Sequence, residues 1–427
     1  MPTKPLRIAW LGPAPGGYAG VRGVAGDLLK GLARQGHRID CFLPAAEGQS
    51  VAQVAAQEQL AFGEENRAFE ENVTLIRGAG RWRWDRWYSR GKVAAFLSGL
   101  LVRGAGSLLL RRELARRHRR EPYDLIYQFS SIETPGVPRR LARAVPLVIH
   151  PETHIAGELR WLIAERGLAL RCQPRRTFVL VVALMFVRAR VQRRAIRRAS
   201  LLVCISGVFR DHLVRDYGFP RERTVVAPNP IHLARFPAGA RQEAGPAQPP
   251  VVLVLGRISV RKGIEDVIAV ARTLLERGVQ ARVRVVGGPS LWSDYTGLLG
   301  DLPAENAEYA GAASANDVAE LLLESDVLLQ ASRYEPFGLT VGEALAAGVP
   351  VVATREVGAS EGVAQAVLSA VEPGDVEGLT DAIVTMVERL RAAPAALREQ
   401  ARSEAERLFA PEVVCARISE ELERLLP

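Results

Sequence analysis

Short, almost unbroken apolar runs set apart by helical spacing constrain this 427-residue chain more than any other feature. In the second half they read VVLVLGRIS, ARVRVVGG, SDVLLQAS and VPVVAT. In the first half they fall at 7–11, 38–43, 124–129, 147–150, 201–205 and 224–227. A strand with no polar alternate is buried on both faces, and a parallel sheet covered by helices on both sides provides that burial. The series breaks once, at FPAGARQEAGPAQPP (236–250), whose Pro, Gly and Ala content marks a linker, and then restarts. The expectation is an α/β chain of two doubly wound, Rossmann-like domains facing across a cleft. The first spans residues 1–240 and the second 241–410, and a last helix over 411–427 packs back on the first. In such sheets ligands bind at the carboxyl ends of the strands, so the loops after Leu11, His150, Gly256 and Ser332 are where chemistry is expected.

Charge separates the same two halves. Residues 1–240 carry 39 Lys and Arg against 19 Asp and Glu, and residues 241–427 carry 17 against 28. A basic first half favours an anionic partner. Its densest part, 81–120, has twelve basic and two acidic residues. Cys41, Cys172, Cys204 and Cys415 are scattered without metal-site or disulfide spacing, which suits a reducing compartment, and MPTKPLRIAWLG enters a strand with no signal-peptide core. A cytoplasmic enzyme is the expectation. No nucleic-acid-binding fold or base-stacking platform is evident.

Four segments carry candidate chemistry. GRISVRKG (256–263) follows a strand and presents Arg257, Arg261 and Lys262, and a forked guanidinium beside a lysine suits a diphosphate. GPAPGG (12–17) lacks the dinucleotide G-x-G-x-x-G order, but Gly16 and Gly17 allow close backbone approach to a phosphate or an acceptor. HPETH places His150 and His154 after a strand without metal-ligand order, and each reads either as a contact to a reacting sugar or as a satisfied structural residue. YEPFGLTVGEALAAG (334–348) is the sharpest. Pro336 keeps Glu335 extended, Gly338 and Leu339 open a helix whose unpaired N–H groups seat an anion, and Glu343 lies two turns on. Cations and helix amides can then take phosphates while the two carboxylates take the hydroxyls on either side.

Glu335-Pro-Phe-Gly followed by Glu343-Ala resembles the E-x7-E motif of retaining family 4 glycosyltransferases, which adopt the GT-B fold. The glycine loop followed by GHRID, CIS at 204–206, APNPIH at 227–232, GRISVRKG and SDVLLQASRYEPFG stand in family order over nearly the whole chain. The resemblance implies transfer of a sugar from a nucleotide diphosphate sugar. Glu343 would hold the ribose, Glu335 the donor sugar, and Arg257 and Lys262 the leaving diphosphate, helped by the amides of Gly338 and Leu339. Phe337, Gly16 and Gly17 complete the implied donor site, with Ser206 nearby. The family's histidine near the sugar is His150 or His154, with His150 favoured. Asn229-Pro230-Ile231-His232 departs from the usual N-G-V-D, and 81–120 matches no family pattern.

No D-x-D triplet occurs, so no metal and no cofactor is expected; cationic side chains and a helix dipole take the diphosphate's charge. FVLVVALMFV (178–187), flanked by Arg175, Arg176, Arg188 and Arg190, is too short to span a bilayer. It reads as a core helix or, with 81–120, as a peripheral contact to an anionic membrane surface. The acceptor is expected against the basic half and can be anionic or lipid-linked. The alternatives are a GT-B epimerase or phosphorylase, and a catalytically silent nucleotide-sugar-binding homologue.

Overall fold

The computed structural model of the chain describes residues 5–13, 20–43, 69, 71–77, 109–130, 137–237, 249–289 and 294–426. The first sheet is built from β1 (Arg7–Leu11), β2 (Arg38–Leu43), β3 (Val73–Arg77), β4 (Leu125–Phe129), β5 (Leu147–His150), β6 (Leu201–Cys204) and β7 (Thr224–Val226). The second holds β8 (Val251–Leu255), β9 (Arg282–Val286), β10 (Ala307–Tyr309), β11 (Val327–Gln330), β12 (Val351–Thr354) and β13 (Leu368–Val371). Their orders are β3-β2-β1-β4-β5-β6-β7 and β10-β9-β8-β11-β12-β13. All pairings are parallel, with Ile8 opposite Leu125 and Val252 opposite Val327 at the two reversals of order. Those reversals are the topological switch points where ligands enter doubly wound sheets.

Ten strands lie where the apolar runs predict them. Three more, β3, β10 and β13, lie at sheet edges. VTLIR, AEY and LSAV have no continuous apolar run because an edge strand is not covered all round; the buried residues are Val73 and Ile76 of β3, Ala307 of β10 and Leu368 of β13.

The helices that position the site are α1 (Gly20–Arg34), α2 (Ile155–Ala164), α3 (Arg166–Cys172), α4 (Arg175–Ile196) and α5 (Gly207–Tyr217) in the first half. In the second they are α6 (Ile264–Glu276), α7 (Leu339–Ala346), α8 (Val376–Ala392), α9 (Pro394–Phe409) and α10 (Pro411–Arg424). The last of these returns to the first half and packs on α1, burying Val414, Cys415, Ile418 and Leu422 with Leu28 and Leu32. Gly31 permits the contact, since a Cβ there would lie 2.2 Å from Cys415 Sγ.

His37 ties this junction together. Its Nδ1 accepts from the Leu6 N–H at 3.1 Å, which leaves the proton on Nε2 to meet Ser419 Oγ. Burial lowers its pKa from the ordinary 6.5 to about 4. The unfolded chain therefore takes up this proton first as pH falls, and stability is lost between about 6.5 and 4. With a discount for screening, the loss from this site is about 2 kcal/mol. Urea unfolding across that range should show the slope, and His37→Asn should flatten it.

Candidate active site

The loop after β8 is shaped by a glycine. Gly263 has φ +68°, and a Cβ there would stand 1.9 Å from the Ala331 carbonyl oxygen. Only a residue without a side chain lets the turn at Val260–Lys262 press against the end of β11 while α6 begins. That approach brings both cations onto one carboxylate. Arg261 Nη1 donates to Glu335 Oε2 at 2.8 Å and to the Tyr334 carbonyl at 3.1 Å, and Lys262 Nζ holds the same Oε2. Burial alone would raise the Glu335 pKa, but the charges of Lys262 and Arg261 outweigh it and hold it at about 2. Lys262 is lowered, first by burial, with Glu335 opposing. Glu335 is ionised and Lys262 is pinned in place at any working pH.

Arg257 is exposed and lines, with Lys262 and Gln330, a recess at the carboxyl ends of β8 and β11. Gln330 joins this recess to α7: its Nε2 donates to Ser332 Oγ at 2.9 Å, and its Oε1 accepts from Thr340 Oγ1 at 3.3 Å. Glu335 sits in an extended bridge opposite Val357, its N–H on the Glu356 carbonyl and its own carbonyl accepting from Gly358. Gly338, at φ +92°, then turns the chain into α7. Among the described residues the amides of Gly338 and Leu339 meet no acceptor, so the start of α7 offers donors and a positive dipole end beside the cations.

Glu343 lies on the other side of that helix start, in a second recess shared with Asp27 of α1, His232, Arg235 and Leu339. Arg235 Nη1 is 3.8 Å from its carboxylate. Burial raises the Glu343 pKa and Arg235 opposes the rise. His232 Nδ1 stands 3.3 Å from Asp27 Oδ1. The first recess reaches α7 through Gln330 and Thr340 and through Lys262 on Glu335, and the second is lined by Leu339 and Glu343 of that helix.

The other sequence-derived candidates lie elsewhere. Gly16 and Gly17, and the segment 81–108 of the basic stretch, fall outside the described residues. Phe337 is 3% exposed, edge-on to Phe409 at 5.7 Å, and anchors the loop in the core. Ser206 caps α5, accepting from Phe209 N–H and donating to the Pro336 carbonyl across the two halves. His150 is fully buried at the end of β5, with Nδ1 2.7 Å from Tyr127 Oη and Nε2 3.5 Å from Glu152 Oε1. Burial drives its pKa down to about 3 and that of Glu152 up to about 7. His154 is equally buried, but its Nδ1 meets Tyr334 Oη at 2.8 Å, so it touches the residue next to Glu335. Neither histidine lines either recess.

Arg261, read from sequence among the diphosphate cations, grips Glu335 instead, and Arg235 was given no role from sequence. Arg261 stood in the loop beside Lys262, but position alone does not separate an arginine that grips Glu335 from one that faces ligand. Arg235, at the end of the first half, carries no local pattern that points to Glu343.

The two halves meet through charged contacts as well. The Glu361 carboxylate accepts from the N–H groups of Gly207 and Val208 at the start of α5 (2.6 and 2.5 Å), and α2 packs on the Val260–Lys262 turn. Among the described residues, His154, His212 and Asp216 bring ligand-type atoms within 4.8 Å of one another. Arg160 and Arg215 already bind Asp216 and supply the positive charge that a cation would bring, so the set does not fit a metal.

Comparison with known proteins agrees with this architecture. Residues 18–235 match the family model described as Glycosyltransferase Family 4, and residues 238–404 match that of Glycosyl transferases group 1. Mannosylfructose-phosphate synthase of Agrobacterium fabrum is 30% identical over 174 residues, covering 37% of this chain and 38% of the relative. The matches span between 24% and 61% of the length of the curated relatives. Among solved structures, sucrose-phosphate synthase from Thermosynechococcus elongatus superposes with a TM-score of 0.64 at 21% identity, covering 98% of this chain and 99% of that one. Anabaena HepE in complex with UDP-glucose gives 0.60 at 20% identity, covering 98% and 100%. Both likenesses establish the fold: two Rossmann-like domains in the GT-B arrangement.

Proposed function

The chain belongs to glycosyltransferase family 4, and from that premise we propose that it moves a sugar from a nucleotide diphosphate sugar to an acceptor hydroxyl, retaining the anomeric configuration and using no metal ion. The observation that carries this reading is the position of Arg257 and Lys262 in one recess, with Lys262 pinned by Glu335 and the open amides of Gly338 and Leu339 alongside. The diphosphate binds between these groups. Its charge meets Arg257, Lys262 and the dipole of α7, a preorganised electrostatic site at which the leaving group's negative charge develops. As the bond from the anomeric carbon to the phosphate oxygen breaks, the acceptor oxygen bonds to that carbon from the same face. The departing phosphate takes the acceptor's proton, so no separate base is required. Glu335 keeps Lys262 directed at the phosphate and uses its remaining oxygen for donor-sugar hydroxyls; Glu343, in the second recess, takes the ribose. The UDP-glucose bound by Anabaena HepE supports a donor of this class.

Thermal-shift measurements with UDP, GDP and ADP test the donor site. One of them should raise stability by about 2.7 kcal/mol at a hundredfold excess over its dissociation constant. Glu343→Ala should weaken that nucleotide about tenfold to a hundredfold, the cost of hydrogen bonds to a charged group, yet leave the response to inorganic pyrophosphate unchanged. No shift with any nucleoside diphosphate, or an equal loss for pyrophosphate, would refute the division of labour between the two recesses.

A further inference from the structure

Helix α4 is half core and half uncovered. Val181 and Met185 pack with Ile155 and Leu159 of α2 in a small cluster of their own. The opposite face carries Val179, Leu180, Phe186, Val187 and Val191, each at least half exposed, and Leu180 at 69%. These positions recur at helical spacing and form one apolar stripe about 18 Å long. Ile163 of α2 and Leu170 of α3, 42% and 41% exposed, extend the uncovered apolar surface onto neighbouring helices. A solvated helix face is polar, and contiguous exposed apolar side chains mark a contact surface.

The ends of the stripe identify what covers it. Arg175 and Arg176 stand at its start and Arg190, Arg193 and Arg194 at its finish, all exposed. Arg190 lies over the Phe186 ring at 4.1 Å. Among the described residues none of the five forms an ion pair. Two copies of this chain joined back to back along the stripe would bring these arginines together and repel. Apolar side chains that can sink between acyl chains, ringed by guanidinium groups at headgroup level, complement an anionic bilayer surface.

We propose that the outer face of α4 docks this protein on an anionic phospholipid membrane, lying in the interface and not crossing it. No described helix is long and apolar enough to cross one. The proposal does not depend on the transferase reading. It does carry a consequence for the site, because α4 packs on α2 and α2 on the Val260–Lys262 turn, which leaves two helices, α4 and α2, between the lipid and the cation loop.

Co-sedimentation of the full chain with phosphatidylcholine vesicles, with and without phosphatidylglycerol, tests it. The protein should sediment with the anionic vesicles and be largely released by high salt. Arg175→Ser with Arg176→Ser should lower the partition about twenty-five-fold, from about fivefold per basic residue at an anionic surface. Leu180→Asp with Val187→Asp should lower it at least about tenfold. Both pairs are exposed, so the melting temperature and its response to nucleoside diphosphate should stay as in the parent. Binding that is unaffected by both pairs, or absent with anionic vesicles, overturns the proposal. So does a solution dimer, seen by light scattering, that Leu180→Asp dissolves.

Discussion

Lys262→Ala should lower turnover about a thousandfold while the protein stays folded. Lys262 lines the recess with Arg257 and is held by Glu335. Removing one preorganised group that faces developing negative charge costs about a hundredfold to a thousandfold in other enzymes. The upper end applies here because the charge acts from a partly buried position where water screens less than in bulk. The fold tolerates the loss, since Arg261 still satisfies the Glu335 carboxylate at 2.8 Å and no buried acid is left unpaired. Lys262→Arg should restore little, because a planar fork does not occupy the place of a single ammonium point. Glu335→Gln should lose turnover by a different route. It leaves Arg261 and Lys262 side by side without their shared acid, so Lys262, already lowered by burial, gives up its proton more readily. Its residual rate should therefore fall as pH rises, where the parent's does not. Release of nucleoside diphosphate from the donor found by thermal shift, followed against pH, measures both. An unchanged turnover number in Lys262→Ala would remove this lysine from the reaction.

Gly263→Ala should cost about 3 kcal/mol of stability and abolish turnover as well. A left-handed residue with a side chain is strained by about 1 kcal/mol, and forcing a methyl into packed backbone adds about 1–3 kcal/mol. Gly278 provides the internal control. It has the same φ of +68° but nothing within 4 Å of the added carbon. Gly278→Ala should therefore pay only the conformational part, about 1 kcal/mol, and leave activity intact. The difference between the two urea-unfolding free energies isolates the contact with the Ala331 carbonyl. Equal losses would mean that the close approach of this loop to β11 contributes nothing. If Gly263→Ala stayed active with its stability lowered, the loop would not need its place against β11 to present Lys262.

These two variants also separate what local sequence encodes from what it does not. The Lys262 loop was legible because a polar, basic segment after an apolar run marks the carboxyl end of a buried strand, and β8 ends at Leu255 just before it. Glu335, Pro336 and Gly338 were legible because proline and glycine fix backbone geometry within one or two residues. The edge strands β3, β10 and β13 were not, since partial exposure removes the apolar run that announces a strand. His150 and His154 looked alike in sequence, each a histidine after a strand. Their partners separate them: one faces Tyr127 and Glu152, the other reaches Tyr334 across the two halves.

Sequence alone determined that this chain forms two parallel, doubly wound sheets, because continuous apolar strands have to be covered on both faces. It also placed the basic loop and the Glu335–Glu343 helix at strand ends, where such sheets open. Only the tertiary structure decided which charges meet. Arg261 and Lys262 close on Glu335 across more than seventy residues of chain, and Arg235 approaches Glu343 across more than a hundred. The reason is physical: an ion pair depends on the separation of two side-chain tips to within an ångström or so, and that separation is set by how distant loops pack, which no local pattern of residues records.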